Sequence, residues 1–291
     1  MRFKDNHMPG DDGFKIRNMN REELDVAIEW AAAEGWNPGL YDADCFYTAD
    51  AHGFFVGLLG EEPVATISAV KYGSSFAFVG FYIVKPEFRG RGYGFKIWSK
   101  ALDSVKGCVV GLDGVVDQQY NYKKSGFSLA HRNIRYQGYG GGSWADSSCL
   151  VSLADFDFAE IRRYDRPFFA IERARFLKCW IEQPLSIAMG VLQKGKLAGY
   201  GLMRKCRSGY KIGPLFADNA QFAELLFLYF KSRVTKEDAI YLDTPAANPA
   251  AIELAESYNL QAVFETARMY KGKHPELALE RTYGMTTFEL G

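Results

Sequence analysis

The densest chemistry in the 291-residue chain lies at positions 84–94, VKPEFRGRGYG. Three glycines and two arginines fall within six residues, just after an apolar run that ends at Val84. Glycine lets a backbone approach a ligand with no Cβ in the way. A helix starting here would offer unpaired N–H groups and the positive end of its dipole. Arg89 and Arg91 would add charge-assisted hydrogen bonds. Such a loop suits a phosphate or pyrophosphate.

Three classes of anion loop compete for this segment. A Walker loop needs Gly-Lys-Ser/Thr, which the segment lacks. A dinucleotide fingerprint needs G-x-G-x-x-G directly after its strand. Here the glycines run G-x-G-x-G and lie well beyond Val84. The third class is R-x-x-G-x-G, read here as Arg89, Gly92 and Gly94. In this the loop resembles motif A of the GNAT acetyltransferase superfamily, where it binds the pyrophosphate of acetyl-CoA; the preceding Val-Lys-Pro-Glu is also typical of that family. The resemblance implies that Tyr82, Ile83, Val84, Arg89, Gly90, Arg91, Gly92, Tyr93, Gly94 and Phe95 form the cofactor site. It also implies a sheet that splays after the motif-A strand, with the pantetheine arm pairing to backbone at Tyr82 and Val84.

A second resemblance follows at YKKSGF, positions 122–127. It looks like the Tyr-x-x-x-Gly-Phe end of GNAT motif B, whose Tyr protonates the departing thiolate. Tyr122 is therefore the candidate general acid, since a phenol keeps its proton at neutral pH and can give it to sulfur. Two family features are missing. Val115 stands where many members carry Asn, and positions 76–84 hold no acidic residue that could serve as a base. Asp113 and Asp117 are the nearest carboxylates. Asp113 is the candidate base, Asp117 is more naturally a helix cap, and an ordered water or a neutral acceptor would serve instead of either.

These residues need a scaffold to position them. FKIRNM (14–19) alternates as a strand does. Asn20 with Glu23 forms a capping-box pattern for a helix running to about Gly35. Apolar runs at 53–59, 63–71 and 75–84, parted by Gly60 and Gly73, predict a meander of strands. Phe95, Ile97, Trp98, Leu102 and Val105 then approximate a helical stripe. A short strand (108–112), a short helix (117–126) ending at Gly126 and a returning strand close the first half. Residues 1–13 read as a polar tail and 139–150 as a Gly/Ser-rich linker. Domains at 14–138 and 151–291 follow.

The second half repeats the first at an offset of 133. Ala65 falls on Ala198, Val79 on Ile212, Gly80 on Gly213 and Phe127 on Leu260. At that offset Arg89–Gly94 lands on Phe222–Phe227, so the anion loop is lost. NPAAIELAESYNL (248–260) resembles motif B with Ala255 in the Tyr position and Asn259 in the Gly position. The second half thus resembles a degenerate C-terminal GNAT domain. The expected fold is α/β (α+β): two GNAT-like domains, each a mostly antiparallel mixed sheet flanked by helices. The cluster at 165–181 places Phe169, Arg173 and Phe176 near one helix face, as a pocket wall or as core packing.

Composition narrows the function. Lys+Arg and Asp+Glu are equal at 35 each, which argues against a nucleic-acid binder. No apolar run approaches membrane-spanning length, and the N-terminus has no signal-peptide core. Five scattered cysteines suggest reduced thiols and a cytoplasmic protein. Four histidines without ligand spacing predict no metal site. The expectation is an acetyl-CoA-dependent N-acetyltransferase, acting on a small-molecule or peptide amine as a monomer or homodimer, with no membrane or nucleic-acid partner. The alternative is a non-catalytic acyl-CoA sensing module.

Overall fold

A computed structural model describes residues 13–144 and 147–291. Most of the expected polar tail and two positions of the expected linker lie outside the described residues.

The first half opens with β1 (Phe14–Asn18) and α1 (Arg21–Ala33). The capping box forms as the residue types require. The Glu23 N–H donates to Asn20 Oδ1 at 2.8 Å, and the Asn20 N–H donates to Glu23 Oε2 at 2.9 Å. Next come α2 (Asp42–Ala49), β2 (Phe54–Leu59), β3 (Glu62–Tyr72) and β4 (Phe76–Val84). They are followed by α3 (Tyr93–Ser104), β5 (Val109–Val115), α4 (Gln119–Lys124) and β6 (Ser128–Tyr139). The second half contains β7 (Leu150–Ser152), α5 (Phe158–Asp165), α6 (Ala174–Glu182), β8 (Ser186–Gln193), β9 (Lys196–Lys205) and β10 (Tyr210–Ala217). It ends with α7 (Ala220–Ser232), β11 (Ala239–Pro245), α8 (Pro249–Ser257), β12 (Gln261–Lys271) and β13 (Thr282–Gly284).

All thirteen strands among the described residues share one sheet, in the order β1-β2-β3-β4-β5-β12-β6-β11-β10-β9-β8-β7, with β13 beside β10. Only β4–β5 and β10–β11 pair in parallel. The centre of this order is an exchange of strands. β12 of the second half lies against β5 of the first, and β6 of the first lies against β11 of the second. β6 and β12 then pair with each other. Each half thereby completes the other's sheet, and the backbone hydrogen bonds of both depend on the neighbour. The Gly-rich stretch begins pinned rather than free, because the Gly140 and Gly141 N–H groups donate to the Asp238 and Val234 carbonyls and Lys231 Nζ donates to both glycine carbonyls.

α2 does not announce itself in the sequence, since eight residues carry too little periodicity. Tertiary contacts hold it. The Gly39 N–H donates to Asp42 Oδ2, and buried Arg204 of β9 donates to Asp42 Oδ1 at 2.8 Å. Phe46 stacks on Trp180 of α6, with ring centres 5.8 Å apart.

Candidate active site

β4 and β5 pair only from Phe76–Val79 to Val109–Leu112. Beyond that point the strands part, and a cavity of about 570 Å³ opens between them. A bulge starts the opening. The β3–β4 register slips between Thr66 and Ser68, and Phe81 takes a φ of +48°. The Ser68 hydroxyl accepts the Gly80 N–H, and the Thr66 hydroxyl donates to the Phe81 carbonyl, so the bulge is fixed from the neighbouring strand.

The Gly-rich loop forms one rim of this cavity. Gly90 and Gly92 sit at φ +78° and +87°, and nothing lies within 4 Å of where a Cβ would stand on either. Gly92 caps α3, its carbonyl accepting the Lys96 N–H. An open, left-handed turn thus delivers the chain into a helix N-terminus beside the gap, which suits a bound pyrophosphate. Arg89 is held at the rim: its Nε donates to the Val84 carbonyl at 2.8 Å, and its guanidinium pairs with Glu34.

Tyr82, Ile83, Val84, Arg89, Gly90, Gly92, Gly94 and Phe95 line the cavity, together with Asp113 and Tyr122. The side chains of Arg91 and Tyr93 do not. Arg91 lies over the Phe88 ring, and Tyr93 is buried against Phe14, ring centres 4.7 Å apart. Tyr122 lies flat on β5. A Cβ on Gly114 would come within 2.2 Å of the Tyr122 ring, so only glycine lets the ring settle there. Trp98 packs on it at 5.5 Å and is itself fixed by Nε1 donating to Ser125. Burial, with Tyr82 nearby, pushes the Tyr122 phenol above its ordinary value, which keeps it a proton donor at neutral pH.

Asp113 is in a different situation. Arg268 of β12 grips it through two hydrogen bonds, Nε–Oδ1 at 2.8 Å and Nη2–Oδ2 at 2.5 Å, and Asn133 donates to Oδ1. Burial pushes the carboxyl up, while Arg268 and then Asn133 pull it back. Both oxygens are engaged in holding β5 to its neighbours. Asp117 lies in the short turn Val116–Gln118 that leads into α4.

The residue that the sequence reading missed is Glu289. It is 3% exposed and lines the same cavity with Arg135, Phe264 and Phe288. After β13, the chain runs from the second half to the first. The Met285 N–H donates to the Asp243 carbonyl, and a Cβ on Gly213 would meet the Met285 and Thr286 carbonyls. A Cβ on Gly80 would fall 2.1 Å from the Glu289 carbonyl. The Gly80–Gly213 match in the repeat therefore has a cause: one segment crosses both positions closely.

The same segment closes the second half's own gap. β13 lies beside β10 at Leu215–Phe216, where the corresponding strand of the first half is open. The loop is missing rather than replaced. β10 ends at Ala217 and α7 begins at Ala220, capped by Asn219, so the constant offset that placed Arg89–Gly94 on Phe222–Phe227 is overturned here. Asn259 does take the left-handed turn expected of it, at φ +58°.

An antiparallel meander, a parallel pair that splays, a glycine-rich turn into a helix and a tyrosine at the splay together define an acyltransferase scaffold. The chain belongs to the GNAT acetyltransferase family in tandem form: the Acetyltransferase (GNAT) family model matches residues 18–127, and the Acetyltransferase (GNAT) domain model matches residues 161–284. It is 30% identical over 270 residues to the holothin acyltransferase of Pseudoalteromonas sp., spanning 93% of this chain and 92% of that protein. Its fold is shared with a candidate acetyltransferase of Pyrococcus horikoshii at a TM-score of 0.82 and 20% identity, covering 100% of this chain and 99% of the other. A tandem GNAT protein of the clavulanic acid biosynthesis pathway superposes at 0.63 with 14% identity, over 90% of this chain and 99% of that one. The protein is an acyltransferase. No helix among the described residues is long and apolar enough to cross a membrane.

Proposed function

We propose that the protein is an acetyl-CoA-dependent N-acetyltransferase that moves the acetyl group directly to an amine in a ternary complex. The observation that carries this reading is one cavity joining the open Gly90–Gly92 turn, the parted strands and Tyr122. When bound, acetyl-CoA supplies a thioester carbonyl and a thiolate leaving group. The helix N-terminus and Arg89 would hold its diphosphate, and the edge of β4 at Tyr82–Val84 that faces away from β3, beyond the β5 pairing, would hold its pantetheine amides. Backbone N–H groups at the bulge face the developing oxyanion. Tyr122 gives its proton to the departing sulfur. Asp113, tied to Arg268, sets the geometry of β5. The acceptor side is walled by Phe81, Phe264, Phe288 and Trp36, which favours an amine carried on a flat, apolar body. The five free cysteines fit a reducing compartment such as the cytoplasm.

Calorimetric titration with acetyl-CoA tests the reading on wild type, Arg89→Ala and Gly92→Glu. Wild type should bind, and both variants should bind much more weakly. Equal affinity in all three would end the proposal. Tyr122→Phe separates an enzyme from an acyl-CoA sensor, because an enzyme variant keeps binding while its rate falls.

A further inference from the structure

We infer that Glu289, carried across from the second half, is the carboxylate that accepts the proton of the acceptor amine. This rests on the acetyltransferase reading above and deepens it. No acidic residue lies on β4, and Asp113 has both oxygens engaged by Arg268 and Asn133. Glu34 sits at the far rim, paired with Arg89 of the anion loop. Of the carboxylates lining the cavity, Glu289 alone has no ion pair among the described residues.

Its placement is built rather than incidental. The segment that carries it is held on both sides: the Tyr72 hydroxyl donates to the Leu290 carbonyl, and Arg173, itself paired with Asp165, donates to the Gly291 carbonyl. The Thr287 hydroxyl donates to Glu289 Oε2 and accepts the Glu289 N–H, which fixes the side chain from its own turn. Among the described residues no donor meets Oε1. Glycine at position 80 lets the segment lie on the bulge where the strands part. The carboxylate and Tyr122 thus line one cavity from opposite halves of the chain.

The step balances with these two groups. The amine nitrogen forms a bond to the thioester carbonyl carbon, and the carbon–sulfur bond breaks. Glu289 takes a proton from the nitrogen, and Tyr122 gives one to the sulfur. Both groups return to their starting states through solvent. Removing a positioned general base costs on the order of 10²–10⁴ in rate.

The competing role is structural. Lys211 is buried, with Nζ reaching, among the described residues, only the Trp36 carbonyl at 3.4 Å, and Glu289 lies in the same neighbourhood as Lys211, Arg135 and Arg204. A mere counter-ion would affect stability without affecting the chemical step.

The test measures CoA release by the full-length protein at saturating acetyl-CoA. The probes are amines that carry a flat aromatic body (aniline, 4-aminophenol, tryptamine), with spermidine and lysine as controls that carry none. Glu289→Gln should lower kcat at least about 100-fold while acetyl-CoA affinity stays within about twofold. Glu289→Asp keeps the charge but retracts it, and should lose rate by a smaller factor at unchanged affinity. It also decides the case if the Gln variant does not fold. A Gln or Asp variant with wild-type kcat overturns the role of Glu289 alone, as does a lowered Tm with unchanged kcat. Wild type that fails to bind acetyl-CoA overturns the underlying reading instead.

Discussion

Gly114→Ala is a sharp test of how the site holds Tyr122, the proposed acid. The new Cβ would stand 2.2 Å from Cε2 and 2.7 Å from Cδ2 of the Tyr122 ring, whereas ordinary contact begins at 3.4 Å. The shortfall is about 1.2 Å, and it falls on a ring already wedged by Trp98. The ring must therefore move by roughly an ångström, and a displacement of that size costs on the order of 100-fold in rate. The anion loop is on another element, so acetyl-CoA affinity should hold. The assay is kcat by CoA release alongside Kd by calorimetry. A double-mutant cycle sharpens it: in a Tyr122→Phe background, Gly114→Ala should cost little more, because the group it displaces has already lost its proton. A Gly114→Ala enzyme that folds and turns over at the wild-type rate would refute the reasoning.

Further outcomes follow from the packing. Gly80→Ala sets a Cβ against the Glu289 backbone carbonyl, which cannot swing aside as a flexible side-chain end would, and should cost about 1–3 kcal/mol, read as a lowered Tm. Asp42→Ala strips Arg204 of its partner where both side chains are 1% exposed, and should cost about 3–5 kcal/mol in denaturant unfolding. His131 is held neutral mainly by burial and next by Arg268, its value pushed down to about 3 from 6.5. The unfolded chain binds that proton first as pH falls, so stability is full above about pH 6.5 and declines from there toward pH 3. His131→Gln should flatten the Tm profile between pH 7 and 5, above the range where carboxylates titrate; an unchanged slope would show that another group governs it.

What could be read from sequence was what is local. The Arg89–Gly94 loop, the capping box at Asn20 and the Tyr122–Phe127 segment each sit within a few residues of one another, and their geometry follows from φ preferences and helix ends. The strand runs of the first half were legible because alternation and turn residues bound them. α2 was not, because its helical state depends on Arg204 and Trp180, which lie far away in the chain. The exchange of β6 and β12 was not, because either strand's pattern fits a place in either half. Glu289 left a trace that went unread: glycine recurs at 80 and 213, at the same point of the repeat, because one segment presses on both. A glycine shared by two halves with no turn to explain it was the available signal.

The interlaced centre of the sheet bears on how such a protein can change over generations. A copy without the glycine-rich loop would ordinarily be free to erode or be shed. Here β12 of that copy stands between β5 and β6 of the first half, so deleting it would leave two rows of amides and carbonyls without partners. Retention of the second half needs no separate active site to explain it: each copy is scaffolding that the other cannot do without, and only one of them had to keep the glycine-rich loop.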